Sequence, residues 1–158
     1  MSTPEIDAAL AKCVAEEAEL IFDRFDHKTA WDIGHLMIDE AGKRGLNIAI
    51  RIALGDLIVF QYAMEGTKAG NEIWLQRKVA TVYYFGDSTE RVGLYHAQHG
   101  RDFYETPWID PFLYTKHGGG FPIRVAGSPA VIGAFAMSNA HGMEHDFIVE
   151  MIRKFLGK

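Results

Sequence analysis

A run of three glycines, Gly118 to Gly120, is the feature that most constrains how this chain can fold. Glycine has no Cβ, so the run allows positive φ and lets the backbone lie directly against a ligand or another piece of chain. The surrounding sequence, HGGGFPIRVAGSPAVIGAFAMS, alternates as a strand on both sides of a Gly127-Ser128-Pro129 turn. We predict a hairpin whose second strand has one apolar face and one face of very small side chains, namely Ala134, Ala136 and Ser138.

Length and composition are typical of an ordered globular protein. With 158 residues, 48% of them hydrophobic, the chain can bury a core, and we predict one domain over residues 1–158. A net charge of −5 with scattered basic side chains argues against nucleic-acid binding. The single cysteine, Cys13, excludes an intramolecular disulfide and favours a reducing compartment. An acidic start without a long apolar run predicts a cytoplasmic protein with no membrane span.

Helical spacing of apolar residues predicts two helices before the first strand. The first begins at Ser2 to Pro4, and Cys13 lies on its apolar side as a small buried hydrophobe. The second begins near Asp26 to Thr29 and ends at Gly42 or Gly45. The predicted inner residues are Leu10, Val14, Ala18, Ile21 and Phe25 in the first helix, and Ala30, Ile33, Met37 and Ala41 in the second.

Alternation at every second residue predicts two further strands, over residues 47–54 and 57–64, joined by a tight Gly55-Asp56 turn. Residues 101–116, with two prolines and five aromatic side chains, have no predicted element. The fold is therefore predicted to be α+β, an antiparallel sheet with helices on one face. The helices that follow the first hairpin are predicted over residues 71–85, 89–99 and 141–156.

Asn71, Trp74 and Lys78 are spaced by three and four residues, which places them on one face of a predicted helix. An amide, an indole and an ammonium group on one face are suited to a planar or anionic ligand. Arg124, just beyond the glycines, would add a guanidinium suited to carboxylates. The structural alternatives are a helix cap for Asn71 and a core or subunit contact for Trp74. For Lys78 the alternative is an aliphatic stem that lies over apolar surface. For Arg124 it is a solvated position on an edge strand.

Among the seven histidines, His117 is the strongest candidate for an axial haem ligand or a proton donor, because it adjoins the glycines. Its alternative is a solvated loop side chain. The segment His141-Gly-Met-Glu-His145 matches an H-x-x-E-H zinc pattern, but too little chain follows it to supply a third ligand and a substrate chamber. His96 and His99 fit a helix C-terminus, where histidine is favoured. We therefore predict no metal site.

The aromatic side chains of residues 101–116 are suited either to a flat cofactor pocket or to a subunit interface. Trp108 and Phe112 are predicted to lie in an interface, whereas Tyr114, close to the glycines, fits either environment. The chain has no G-x-S-x-G elbow, P-loop or dinucleotide fingerprint, so its motifs favour no particular class of enzyme.

The succession of a strand hairpin, NEIWLQRKVATVYYFGDST, GGGFPIRV and VIGAFAMS resembles the UPF0303 family, a branch of the haem-degrading, GlcG- and HbpS-like (DUF336) superfamily. The resemblance runs from about Phe25 onward. It implies a profilin-like fold with a five-stranded antiparallel sheet, and homo-oligomers from dimers to larger rings; some relatives bind haem. The pair His145-Asp146 reverses the acid and histidine of relatives, so a ligand contact there does not transfer. The most specific matches are Asn71, Trp74, Lys78, Ser88 and residues 118–124.

Two functions of different classes follow. In the first, the protein binds a small planar or anionic molecule, with haem as the cofactor that the resemblance implies, between the helix of residues 71–85, Tyr114 and the glycines. In the second, it is a non-enzymatic oligomeric interaction protein whose glycines and aromatic side chains serve subunit packing. The predicted ligand site comprises Asn71, Trp74, Lys78, Tyr114, His117, Gly118, Gly119, Gly120, Phe121, Arg124 and Ser138.

Overall fold

The computed structural model describes residues 2–158, which form five helices and a four-stranded antiparallel sheet, as expected for the α+β class. The strands lie in the order β2-β1-β4-β3. None of the helices in the described residues is both long enough and apolar enough to span a bilayer. In chain order the elements are α1 (Pro4–Glu19), α2 (His27–Lys43), β1 (Ala49–Leu54), β2 (Leu57–Ala63), α3 (Ala69–Phe85), α4 (Thr89–Gln98), β3 (Gly120–Ile123), β4 (Gly133–Ser138) and α5 (Glu144–Leu156).

The five-stranded sheet implied by the resemblance is wrong, since residues 2–158 contain four strands. The chain around Phe22 instead makes a single parallel bridge to Val125, just beyond β3. The Phe22 amide donates to the Arg124 carbonyl oxygen at 3.0 Å, and the Ala126 amide donates to the Phe22 carbonyl oxygen at 2.7 Å. Only residues 20–26 separate α1 from α2, so the chain turns away before a longer ladder can form.

One face of the sheet carries large apolar side chains and forms the main core. Ile50 of β1 lies opposite Met137 of β4, and Ile52 lies opposite Phe135. Helices α2 and α5 pack on this face, and all four side chains are fully buried. The period-two pattern of β1 and β4 therefore places their large apolar side chains on one face of the sheet, as predicted, because alternate residues of a strand point to opposite faces.

The opposite face carries small side chains apart from Arg51, which pairs with Glu72 of α3, and α3 packs against this face. Ala49 of β1 and Ala136 of β4 form a buried cluster with Leu75 of α3. Small side chains allow the helix backbone to come close to the strands. The prediction that helices cover one face of the sheet is therefore wrong: α2 and α5 cover the large face, and α3 covers the small one.

Helix α1 has a polar inner face in place of the predicted apolar one. Val14 is 41% exposed, and the helix ends at Glu19, before Ile21 and Phe25. Alanine and glutamate dominate this helix, so its hydrophobic period is weak, and partners on other elements decide which face is buried. The buried residues of α1 are Cys13, Glu16 and Glu17.

Helix α2 follows its prediction closely, with an Asp26 N-cap, a reciprocal hydrogen bond with Thr29 and the four predicted inner residues buried. Helix α5 starts at Glu144 and not at His141. The reason lies in the backbone, because Asn139 and His141 have φ of 75° and 55°, outside the helical region. The loop of residues 139–143 therefore separates β4 from α5, and its side chains are free to line a site.

Residues 101–116 form an irregular segment held at two points. Phe103 and Ile109 pack with Val92 in a separate buried cluster. The Arg77 guanidinium donates to the carbonyl oxygens of Pro111 at 2.8 Å and of Tyr114 at 2.9 Å. This segment therefore closes over α3 and α4 without adding a strand.

We expect Gly133→Ala to destabilise the fold. A methyl group at Gly133 would overlap the carbonyl oxygen of Ala53, which cannot move without breaking the ladder between β1 and β4. The free energy of unfolding, measured in urea, should fall by about 1–3 kcal/mol.

The matched control is Gly42→Ala in α2, where an added methyl group meets nothing within 4 Å. Alanine is the better helix former, so this variant should be as stable as the wild type or slightly more stable. Equal stability of Gly133→Ala and Gly42→Ala would contradict the packing argument.

Candidate functional site

A pocket of about 500 Å³ lies beside α3, the end of β4 and the segment that leads into β3. Its volume is within the range of small-molecule sites. Helix α3 supplies three of the lining residues from one face, as their spacing predicts. The predicted site residues that line the pocket are Asn71, Trp74, Lys78, His117, Gly118 and Ser138.

Lys78 supplies a buried cation to this pocket. Its side chain is 4% exposed, and Nζ donates to the Met137 carbonyl oxygen at 2.6 Å. Among residues 2–158, no carboxylate oxygen lies within 4.0 Å of Nζ. Burial lowers the pKa of Lys78 to about 8, against the opposing effect of the Glu144 charge. The ammonium group is therefore charged at neutral pH, and in residues 2–158 the Glu144 carboxylate acts on it from beyond 4.0 Å and not as a direct ion pair.

Asn71 is the helix cap considered for it, and it also lines the pocket. Its Oδ1 accepts a hydrogen bond from the Lys68 amide at 2.8 Å at the start of α3, and its Nδ2 donates to Ser138 Oγ at 2.9 Å. The helix start and the end of β4 are thus tied together across the pocket wall. The Ser138 hydroxyl and the Asn71 amide present polar groups beside Lys78.

Trp74 lies in the pocket wall, half-buried, between a cation and an imidazole. The Arg77 guanidinium lies 4.3 Å from the centre of the Trp74 ring, and the His117 ring meets it edge-on at 5.5 Å. Partial burial and the charges of Lys116, Lys78 and Arg77 lower the pKa of His117. His117 is therefore neutral at pH 7 and carries a free nitrogen lone pair.

Two of the three glycines are buried against their own chain. A methyl group at Gly119, which has φ of +120°, would come 2.7 Å from both Lys78 Nζ and the Met137 oxygen. A methyl group at Gly120 would come 2.7 Å from Thr89 Cγ2. The predicted close approach is present at both positions, and what the glycines approach is α3, α4 and β4.

Gly118 is the member of the triplet that lines the pocket. A methyl group there would overlap the Glu90 carboxylate and lie 3.1 Å from His145 Cβ. The backbone at Gly118 therefore lies directly against Glu90, which also lines the pocket, and against the buried His145.

Besides Gly119 and Gly120, three further predicted site residues lie outside the pocket lining. Tyr114 packs on Tyr84, with ring centres 5.1 Å apart, and Phe121 is 1% exposed in the main core. The Arg124 guanidinium donates to the Gly86 carbonyl oxygen and lies 3.7 Å from the Glu17 carboxylate. Arg124 is thus engaged at the end of α3 and does not join Lys78 in the pocket, contrary to the hypothesis drawn from its position.

Half of the pocket lining was missed from the sequence. The positive φ at Asn139 and His141 turns the loop after β4 back over the pocket, and its Ser-Asn-Ala-His-Gly composition is the signal that predicts such a turn. Glu144 is oriented by accepting a hydrogen bond from the Ala140 amide at 3.1 Å. The missed lining residues are Glu90, Lys116, Asn139, His141, Gly142 and Glu144.

A second polar cluster is buried between α1 and α5. His145 Nε2 lies 3.0 Å from Glu16 Oε1 and 3.8 Å from Cys13 Sγ. Burial and the nearby carboxylates raise the pKa of Cys13 to about 12, so the thiol is protonated and is no nucleophile. Cys13 is buried as predicted, but its surroundings are polar. The cluster joins residues 132 positions apart, which no spacing rule identifies.

The remaining histidines do not form pairs. His141 lines the pocket while His145 is buried against α1, so the H-x-x-E-H segment does not bring its two imidazoles together. His96 Nδ1 and His99 Nδ1 each lie 2.9 Å from a backbone carbonyl oxygen one turn earlier in α4. These two side chains serve the helix, as the capping argument predicted.

The family comparison agrees with this fold. The family model described as haem degrading protein HbpS-like matches residues 25–152. A UPF0303 protein of Streptomyces coelicolor is 33% identical over 159 residues, covering 100% of both chains. A UPF0303 protein of Serratia proteamaculans is 36% identical over 153 residues, covering 96% of this chain and 94% of that one.

Solved structures share the fold at low sequence identity. The crystal structure of the Ybr137w protein superposes with a TM-score of 0.86 at 22% identity, covering 94% of this chain and 87% of that chain. The crystal structure of a PduOC:heme complex gives a TM-score of 0.63 at 14% identity, covering 76% and 86%. With relatives of more than 30% identity along nearly its whole length, the chain belongs to the UPF0303 family, within the group described as haem degrading protein HbpS-like.

Proposed function

We propose that this protein binds a small anionic molecule in the pocket beside α3, with Lys78 as the anion contact. The observation that carries the proposal is a buried ammonium group with no carboxylate oxygen within 4.0 Å in residues 2–158, next to about 500 Å³ of open space. Burying a charge without a partner is costly. An anionic group in the pocket would supply that partner, with the Asn71 amide and Ser138 hydroxyl as neighbouring hydrogen-bonding groups.

The other charges of the pocket restrict the ligand further. Lys116 adds a second cation to the lining, whereas Glu90 and Glu144 add two carboxylates. A uniformly negative molecule is repelled by these acids, so the favoured ligand has its anionic group confined to the Lys78 end. The Trp74 ring offers a flat surface for a planar part of the same molecule.

Haem is the specific ligand that we propose to test first. It is planar, carries carboxylates at one edge and needs an axial ligand, and His117 supplies a neutral imidazole beside Trp74. The family description and the heme-complexed PduOC neighbour motivate the same choice. In this proposal Lys78 and Lys116 hold the propionates.

Haemin titration distinguishes axial ligation from general binding. We expect a saturable Soret shift at one haemin per chain in the wild type. In His117→Ala the shift should be lost while iron-free protoporphyrin IX, followed by its own fluorescence, still binds, because only the metal needs the imidazole.

The control for this titration is His99→Ala, which removes a histidine whose ring contacts the Tyr95 carbonyl oxygen outside the pocket. That variant should behave as the wild type. The absence of a saturable shift, or a shift unchanged in both His117→Ala and Lys78→Ala, would contradict the haem proposal.

Anion binding should depend on pH through Lys78. An amine with a pKa of about 8 is charged below that pH and neutral above it, so affinity for protoporphyrin IX should fall as the pH rises from 7 to 9. Lys78→Met should bind about 10- to 100-fold more weakly at pH 7, because a charge-assisted hydrogen bond is lost, and should show no such fall.

The matched variant is Lys28→Met, which removes an exposed lysine on α2 that pairs with Asp32. It should keep both the affinity and the pH dependence of the wild type, because Lys28 lies outside the pocket. His117 should not contribute to the pH dependence, since its pKa is lowered and lies below this range. An unaltered pH dependence in Lys78→Met would exclude Lys78 as the anion contact.

A second candidate function, assembly into a homo-oligomer, is favoured by one exposed cluster. Phe112 is 85% exposed, Trp108 is 61% exposed and Leu113 is 55% exposed, all in the irregular segment of residues 101–116. Large apolar side chains clustered on a surface are typical of interaction sites. In this proposal the segment forms a subunit interface and the pocket stays as described.

We expect light scattering to give a mass above that of one chain for the wild type, and Phe112→Ser to shift the distribution toward the monomer. Trp31→Ser is the control, because Trp31 is similarly exposed but lies on α2. A monomeric wild type at micromolar concentration would contradict the interface.

A further inference from the structure

We propose that Cys13, Glu16 and His145 bind a divalent metal ion of the zinc class between α1 and α5. The three side chains are buried, and their ligand atoms all lie within 4.8 Å of one another. A thiolate, a carboxylate and an imidazole are the three ligand types that Zn²⁺ takes from proteins. The proposal is independent of the ligand pocket, which uses none of these residues.

The spacing of the donor atoms fits one tetrahedral ion. With Zn–N and Zn–O distances of about 2.0–2.1 Å and Zn–S of about 2.3 Å, two ligand atoms of such a site lie roughly 3.3–3.6 Å apart. His145 Nε2 is 3.0 Å from Glu16 Oε1 and 3.8 Å from Cys13 Sγ, on either side of that range. Sub-ångström shifts of the side chains would complete the geometry.

Two regular elements hold the donors in place. Cys13 and Glu16 are three residues apart on one face of α1, and His145 lies in the first turn of α5. The side chains of Glu16 and His145 are 3% and 7% exposed. Three protein ligands leave a fourth position for water or for the second Glu16 oxygen, as in zinc sites with an open position.

Charge around the cluster favours a cation. The carboxylates of Glu16, Glu90 and Glu17 all act on the Cys13 thiol. Glu17 already has arginine neighbours, at 3.5 Å and 3.7 Å. Lys12 is the cation that faces Glu16, at 4.0 Å, but its side chain is 62% exposed and screened by solvent.

Binding of the ion releases one proton, from Cys13. The S–H bond of Cys13 breaks, its proton goes to solvent and sulfur coordinates as thiolate, with no change in oxidation state. His145 coordinates through Nε2 and carries its proton on Nδ1. Within residues 2–158 that Nδ1 is buried without a hydrogen-bond partner, so this tautomer leaves one N–H unpaired, a cost that the bond from Nε2 to the ion must exceed.

Cobalt(II) provides a specific probe, because Cys13 is the only cysteine of the chain. Titration of tag-free, metal-stripped full-length protein with Co²⁺ should give a thiolate-to-cobalt charge-transfer band in the near ultraviolet that saturates at one ion per chain. Zn²⁺ should abolish the band by displacement. Any such band must come from Cys13.

The variants separate this site from other histidines. Cys13→Ser should remove the band, and His145→Gln should weaken Co²⁺ binding at least roughly tenfold, while His141→Gln leaves it unchanged. Lys12→Gln should tighten binding, since it removes the competing cation of Glu16. Zn²⁺ should also raise the melting temperature of the wild type more than that of Cys13→Ser.

The wild type alone can overturn the proposal, so it does not depend on how the variants fold. If the folded wild type, verified by circular dichroism, gives no charge-transfer band at saturating Co²⁺, the cluster is a hydrogen-bonded pair of His145 and Glu16 beside a thiol and nothing more. A band that persists unchanged in a folded His145→Gln variant would likewise exclude the site.

Discussion

The close approach of α3 to the small-residue face of the sheet is the contact on which the pocket depends. Ala136 and Ala49 leave room for the helix, and Leu75 fills the space between them. The helix thereby brings Lys78 within hydrogen-bonding distance of the Met137 carbonyl oxygen on β4. Larger side chains on that face would move the ammonium group away from the strand and would open the pocket floor.

The glycine segment separates two buried polar centres of opposite character. On one side lies the Lys78 ammonium group, with backbone oxygen as its hydrogen-bond partner. On the other side lie Glu16 and His145, whose Cβ approaches the position that a side chain at Gly118 would take. A side chain at Gly118 would press on His145, and one at Gly119 would displace the Lys78 ammonium group, which explains why both positions are glycine.

Much of the sheet was predictable because its periods are clear. The alternation in β1 and β4 identified both the large face and the small face, and the Asp26 signal located the start of α2. The failures have physical causes. Helix α1, rich in alanine and glutamate, has no strong period of its own, and the missing fifth strand depends on the short connection of residues 20–26. Three of the six missed lining residues come from the loop after β4, whose course is set by backbone conformation, and the other three come from α4, α5 and the irregular segment, which only the tertiary fold brings together.

Gly119 is constrained twice over. Its φ of +120° lies in a region that residues with a side chain rarely adopt, and the space where a Cβ would stand is already taken by Lys78 and Met137. The two constraints are independent, because making room does not change the backbone conformation and relaxing the backbone does not make room. In genetic terms, a replacement at this position has no single-site suppressor, because truncating Lys78 would leave the Met137 carbonyl oxygen in place, and only a return to glycine meets both constraints.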